Sequence, residues 1–399
     1  MNISAETEAF LSRHNFDFHL ADNLYQEIIE DMKNGLAGKS ADQAMIKAGS
    51  AAVREIHEGE NAIIIDAGGT NFRSCLVTKT ASGIEISDFQ KSSMPAIDRE
   101  LSKEEFYKAI ADKIAHLKDT SDKISFCFSY AMEITEEGDG KILRFSKEVK
   151  APQAVGTCLG KELLTELKKQ GWTKIKKINV LNDTSALLLS SFVEDTGKKW
   201  TSHIAFILGT GMNSAYIQDQ RIIVTECGMF ADLTQSDFDL TVCSRTTQPN
   251  LSLLEKMSSG AYLGDIATEM ISTATKEGFF SKNYTAPASF TTKDFDSYFS
   301  SDAASLNSDQ QKIKELIGAI IIRSANLCAQ AIYAAILLSD KEKGEFPVCI
   351  TCNGSTFWKT PLLKETTGAQ LKALLQQPFE IIQIDDDITK GSFAAAFLD

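Results

Sequence analysis

The sequence predicts an α/β protein of two domains, on three observations. Apolar, strand-like runs alternate with amphipathic helical ones, the pattern that lays helices against a sheet. A strand, glycine turn, strand unit begins near residue 62 and returns near residue 203. The chain has 399 residues, more than a single core comfortably holds.

Composition narrows the function classes. With 43% hydrophobic and 24% charged residues the chain reads as soluble and globular. Its formal charge of -13 argues against nucleic acid or an anionic membrane as partner, but says little about a phosphorylated ligand in one cleft. Eight cysteines lie almost all inside apolar runs, and only Cys349 and Cys352 have C-x-x-C spacing. Without a second pair or a nearby His, buried free thiols in a reducing compartment fit them better than zinc or redox chemistry. The opening "MNISAETEAFLSRHNFDFHL" has no basic stretch leading into an apolar one, so no secretory signal is expected. The most apolar helix, Leu316 to Leu338, carries Arg323, Asn326 and Gln330, which suit a buried helix between domain layers better than a membrane span. These features predict a cytoplasmic protein.

The elements follow in order. Residues 1–60 read as helical, with "NLYQEIIEDMKNGLAG" apolar at helical spacing and closed by glycine. "AIIIDAGGTNFRSCLVTK" and "GIEISDFQKSSM" give three strands. "SKEEFYKAIADKIAHLKD" is an amphipathic helix in which Ser102 and Glu105 form a capping box. "KISFCFSYAMEI" reads as one buried strand, and a polar hairpin then leads to "ILRFSKEVKAP". After the helix "GKELLTELKKQG", "KINVLNDTSALLLSSFV" passes from strand straight into helix. "HIAFILGTGMNSAYIQDQRIIVTE" repeats the opening unit, as a diverged duplication would. "FPVCITCNGSTFW" ends a last strand in Gly-Ser before a helix.

Three glycine turns, "DAGGTN", "LGTGMN" and "NGSTFW", each follow an apolar strand and carry small hydroxyl residues. Glycines clear side chains so that backbone N–H groups reach phosphate oxygens, and Thr adds a hydroxyl donor. A Walker loop and a dinucleotide fingerprint are both absent from the sequence. In "VLNDTSALLLSS", Asp183 or Thr184 reads as a helix N-cap. Beside three phosphate-type turns, the Asp183 carboxylate at a strand's carboxyl end also reads as a general base toward a bound hydroxyl.

The order D-x-G-G-T-N-x-R, a Ser-rich strand with a following Lys, L-N-D-T, G-T-G-x-N, an acid before Gly, and G-S resembles the hexokinase family of the actin-like ATP-binding superfamily, from about Ala62 to the C-terminus. "IIVTECGMF" matches the family's stretch with a sugar-binding Glu, here Glu226. "QPNLSLLEKMSSGAYLGDI" resembles its helix with a second such Glu, here Glu255, and "RSANLCAQAIYAAIL" its large-domain helix. The resemblance implies a two-domain actin-like ATPase (ribonuclease H-like) fold with the ligand cleft between a small domain, 62–183 plus 391–399, and a large one, 1–61 plus 184–390.

It also implies roles. Asp183 accepts the proton of a hexose 6-hydroxyl as that oxygen attacks the γ-phosphoryl of ATP, and Asp66 holds Mg²⁺, through water. Arg73 and Thr210 contact the phosphates with Thr70, Asn71 and the backbones of Gly68, Gly69, Gly209 and Gly211. Gly354 and Ser355 border adenosine, with Asn353 at its ribose or phosphate end. Asn182, Asn213, Glu226 and Glu255, joined by Ser129 and Lys147, hold the sugar. Without the family, Glu255 reads as an ordinary exposed helix residue and Lys147 as a solvated lysine. The partners implied are small molecules, a hexose such as glucose and ATP, in a chain that is compatible with a homodimer.

One segment departs from the pattern. Where the family has Pro, Trp-Thr and Gly-Phe around its sugar loop, this chain has Ala131, Phe145-Ser146 and Glu148-Val149. The loop geometry changes more than its polar contacts, so the sugar is left open between glucose and another hexose or amino sugar. A sugar-binding regulator without catalysis is the alternative; retention of Asp66, Asp183, Arg73 and Thr210 speaks for the enzyme.

Overall fold

A computed structural model describes residues 1–20, 23–135, 137–145, 148–300, 305–339 and 344–398. The chain opens with α1 (Ala5–Arg13) and α2 (Leu24–Leu36), followed by β1 (Ile46–Ser50), β2 (Asn61–Gly68), β3 (Asn71–Thr80) and β4 (Gly83–Ser93). Then come α3 (Lys103–Lys113), β5 (Lys123–Phe128), β6 (Ala131–Ile134), β7 (Gly140–Arg144), α4 (Leu159–Lys169), β8 (Lys177–Leu181) and α5 (Asp183–Val193). The pattern restarts with β9 (Ser202–Leu208), β10 (Met212–Gln218) and β11 (Arg221–Val224). Helices α6 (Asp237–Ser244), α7 (Leu253–Ser258), α8 (Gly260–Lys276), α9 (Asp296–Phe299) and α10 (Ser308–Leu338) follow. The chain closes with β12 (Val348–Asn353), α11 (Ser355–Lys359), α12 (Leu363–Leu374), β13 (Phe379–Ile382) and α13 (Asp387–Ala395).

Two compact units result. One comprises Met1–Met45, Phe206–Ser214 and Thr225–Ile381, the other Ile46–Ala205, Ala215–Val224 and Ile382–Asp399. The first sheet has the order β4-β3-β2-β5-β8 and the second β1-β11-β10-β9-β12-β13. Both contain a three-strand meander read backwards and then two later strands, which is the duplication written as topology. In the first sheet β2, β3 and β4 pair antiparallel, whereas β2, β5 and β8 pair parallel.

Alternation along β2 explains its burial on both faces. Ile63 and Ile65 join Phe106, Ile110, Leu163 and Leu167 of α3 and α4, while Ala62 and Ile64 join Phe393 and Phe397 at the C-terminus. The Ser102–Glu105 capping box starts α3 as the sequence predicts. Helix α10 is apolar enough to cross a membrane by composition, yet 83% of its most apolar window is buried inside the fold. Arg323, Asn326 and Gln330 each find partners there, although among the described residues Arg323 Nε donates no hydrogen bond and Asn326 Oδ1 accepts none. Arg323 forms a two-pronged ion pair with Asp239, at 2.6 and 2.8 Å, and lies over the Phe16 ring. Asn326 donates to the Phe18 carbonyl, and Gln330 accepts from the Tyr25 N–H.

Two readings of local structure are corrected. Residues 46–50, expected within a helical N-terminal region, form β1, which pairs antiparallel with β11; an edge partner outweighed local helical preference. "KISFCFSYAMEI" is not one strand. It breaks after Phe128, where the Ser129 N–H donates to the Ala67 carbonyl, and β6 then pairs with β7 in a separate two-stranded sheet. All eight cysteines are free and all but Cys158 are buried.

Candidate active site

The parallel register of the first sheet gathers one group of site residues at its carboxyl end. Asp66 pairs with Arg73 across the β2–β3 hairpin and with Cys127 on β5, and Cys127 pairs with Leu181 on β8. Asp66 therefore ends up in the same row as the residue that precedes Asn182 and Asp183. The hairpin turns on Gly69 and Thr70. Gly69 has a φ of 57° and Thr70 keeps a negative φ, the pattern of a type II′ turn, in which glycine takes the first central position. Gly68 is needed for another reason, since a Cβ there would lie 2.9 Å from the Ser129 Cβ.

Asp66 and Arg73 form an ion pair at 2.7 Å. Burial pushes the Asp66 carboxyl up from its ordinary value, and the Arg73 charge acts against that. Asp183 is also raised, by burial first and by the Asp66 charge in part, while hydrogen bonds from the Thr184 N–H and hydroxyl pull the other way. A desolvated carboxylate whose charge also raises the proton affinity of Asp183 suits a hydrated divalent cation, which takes one or two such ligands and keeps its waters. Among the described residues no group of three or more His, Cys, Asp or Glu side chains could hold a metal on its own.

Asn182, not Asp183 or Thr184, caps α5. Its carboxamide oxygen accepts from the Ser185 N–H at 2.8 Å, with an extended backbone at the cap. Asp183 is the first helical residue and is half-buried. Ser129 is exposed next to the Gly68 backbone. Lys147, like Ser146, lies outside the described residues.

A second group is assembled in the other unit around the turn between β9 and β10. The Gly209 N–H donates to the Gly211 carbonyl, and the Gly209 carbonyl accepts from the Gly260 N–H and the Thr356 hydroxyl. Gly354, at a φ of 114°, packs so tightly that a Cβ would strike the Leu208 carbonyl. The "LGTG" and "NGST" turns are thus packed backbone to backbone, with Thr210 and Ser355 exposed beside them. Sequence reasoning assigned no role to Gly260 or Thr356. Their only signal was a small residue after Ser-Ser and a hydroxyl after Gly-Ser, too weak without the fold.

Asn213, Glu226 and Glu255 converge in the same unit. The Asn213 carboxamide donates to Glu226 Oε1 at 2.7 Å, and its oxygen accepts the N–H groups of Ser214 and Glu226. Glu226 adopts the left-handed conformation, φ 56° and ψ 42°, which is uncommon for a non-glycine residue. Glu255 is no ordinary exposed helix residue. It is half-buried, its Oε2 accepts from the Met212 N–H at 3.0 Å, and burial raises its carboxyl. Gly211 and Gly228 leave room for that carboxylate, for a Cβ on Gly211 would lie 2.7 Å from Oε2.

Comparison with known proteins sets the chain beside hexokinases. The hexokinase family model matches residues 6–193, and a second hexokinase model matches residues 203–398. Hexokinase of Schistosoma mansoni is 29% identical over 288 residues, covering 64% of this chain and 62% of that protein. Hexokinase-2 of Equus caballus is 23% identical over 399 residues, 87% of this chain and 43% of its own length. The chain thus spans less than two thirds of the curated relatives it matches first. Among solved structures, hexokinase from Schistosoma mansoni complexed with glucose superposes with a TM-score of 0.72 at 20% identity, covering 98% of each chain. Another structure described as hexokinase reaches a TM-score of 0.81 at 19% identity, again over 98% of each. At such identities these likenesses speak for the two-domain, actin-like fold.

Proposed function

The chain belongs to the hexokinase family, and from that premise we propose that it transfers the γ-phosphoryl of Mg·ATP to the 6-hydroxyl of a hexose such as glucose. One observation carries the reading. Asn182 takes the helix cap, so the neighbouring Asp183 carboxylate, desolvated and raised in proton affinity, is spare for chemistry at a strand's carboxyl end.

Asp183 accepts the proton of the attacking hydroxyl as the new P–O bond forms; the β-phosphate oxygen leaves with ADP. Arg73 and Thr210 meet the phosphate charge, with Thr70, Asn71 and the backbones of Gly68, Gly69, Gly209 and Gly211 as further donors. Asp66 would hold Mg²⁺ through water, and the ion when bound neutralises phosphate charge. Asn182, Asn213, Glu226, Glu255 and Ser129 hold sugar hydroxyls, and Lys147 completes the set. Gly354 and Ser355 border the adenosine, with Asn353 nearby in sequence. The paired carboxylates Glu226 and Glu255 favour a hexose with free hydroxyls over an N-acetylated one. The reading places the work in the cytoplasm, where ATP is supplied.

The test is a coupled ADP-release assay with Mg·ATP and a panel of glucose, mannose, fructose and N-acetylhexosamines. Sugar-dependent ADP release is expected. Release with none of them, alongside measurable sugar binding, would favour the non-catalytic regulator.

A further inference from the structure

The phosphate turn of β2–β3 is restrained by a residue outside it. The Tyr130 hydroxyl donates to the Gly69 carbonyl at 2.7 Å. Gly69 and Thr70 are the two central residues of the hairpin turn, so that carbonyl belongs to the turn's central peptide. Type I′ and type II′ turns differ in the orientation of that peptide. In a trans peptide the C=O and the following N–H point in opposite directions. Holding the Gly69 carbonyl toward Tyr130 therefore directs the Thr70 N–H to the opposite side of the turn.

The anchor is rigid. Tyr130 is buried, and its ring packs against Phe128 and Phe145, with centroids 4.7 and 5.5 Å away. Burial, with the Glu148 charge in support, pushes the phenol up to about 12, so it remains a donor at any physiological pH. Tyr130 also directly follows Ser129, whose side chain abuts Gly68. One dipeptide thus touches both glycines of the turn.

Resting on the kinase reading above, we infer that Tyr130 is a positioning residue for nucleotide binding. Its hydroxyl selects the orientation of the Gly69–Thr70 peptide that presents the Thr70 N–H to a phosphate oxygen. The negative φ of Thr70 is the second restraint, because the flipped turn would force a β-branched residue into the left-handed region.

Tyr130→Phe removes the hydroxyl and leaves the ring in its aromatic cluster. Affinity is read by calorimetry, with a non-hydrolysable ATP analogue plus Mg²⁺ and separately with glucose. Analogue binding should weaken about two- to tenfold, the range of one lost hydrogen bond, with glucose affinity and thermal midpoint close to wild type. Thr70→Gly frees the second restraint, so Tyr130→Phe should cost more in that background than alone. Unchanged analogue affinity, an equal loss of glucose affinity, or strictly additive effects of the two substitutions would each overturn the inference. The readout is binding, not turnover. A wild-type protein that binds the analogue but phosphorylates no hexose refutes the kinase reading, and Tyr130→Phe still decides the positioning role. A wild-type protein that binds no analogue overturns both.

Discussion

Asn182 caps α5 and leaves the neighbouring Asp183 carboxylate out of the cap. The Asn182 carboxamide caps α5 through the Ser185 N–H at 2.8 Å, and Asp183 begins the helix with its carboxylate on Thr184. Capping and proton transfer can therefore be removed one at a time. Asp183→Ala should lower kcat by about 10²–10⁴, the usual cost of a general base, with no fall in thermal midpoint. Asn182→Ala should lower stability by about 1 kcal/mol through the lost cap. A fallen midpoint with wild-type kcat in the Asp183 variant would return the base to some other residue.

The raised Asp183 carboxyl sets two pH dependences. A general base works only when ionised, so kcat should fall on the acid side with its midpoint above the ordinary carboxylate range. For stability the sign is opposite to that of a salt-bridged acid. A carboxyl raised in the folded state stabilises the fold only below its unfolded value, and that contribution disappears as pH rises through the folded one. Asp183→Asn should thus be more stable than wild type at neutral pH while being nearly inactive. Denaturation midpoints measured across pH decide this, and a wild-type advantage at pH 7 would contradict it.

Asp66→Asn should weaken use of Mg·ATP and spare the sugar. The change removes the charge that pairs with Arg73 at 2.7 Å and that a hydrated cation would need. Calorimetry with glucose and a kinetic titration with Mg·ATP separate the two effects. Equal losses in both would place Asp66 on the sugar instead.

Gly354→Ala should cost more than about 1 kcal/mol of stability and weaken nucleotide binding. At a φ of 114° the added Cβ is strained, and it would strike the Leu208 carbonyl beside Gly209. A shift of the thermal midpoint together with a raised KM for Mg·ATP is the expected pair. A midpoint equal to wild type would show that the backbone there is looser than its packing implies.

The sugar loop should leave a trace in specificity. Ala131 opens β6 opposite Arg144, at an irregular point of the β6–β7 ladder, where the family has proline. Glu148-Val149 replaces Gly-Phe, with Val149 buried in the core of its unit. Glucose should bind more weakly than to typical family members, or another hexose should be preferred. Comparison of kcat/KM across glucose, mannose, fructose and N-acetylhexosamines tests this, and tight, strictly glucose-selective turnover would count against it.

The α/β class, the repeated strand–turn–strand unit, the Ser102–Glu105 cap and the family are legible in the order of residues alone. Each depends on residues close together in the chain, where periodicity, glycine and capping chemistry act directly. What it left open required partners distant in the chain. The cap of α5, read from the sequence as Asp183 or Thr184, is Asn182, whose carboxamide oxygen reaches the Ser185 N–H. Glu255, which local pattern alone leaves readable as an exposed helix residue, is held by the Met212 N–H, 43 positions away. Residues 46–50 became a strand because β11 offered an edge. The break after Phe128 and the Tyr130 hydroxyl on Gly69 arose where β5 meets the end of β2. Local patterns specify elements, but only the folded chain brings together the donors and acceptors that decide what an individual side chain does.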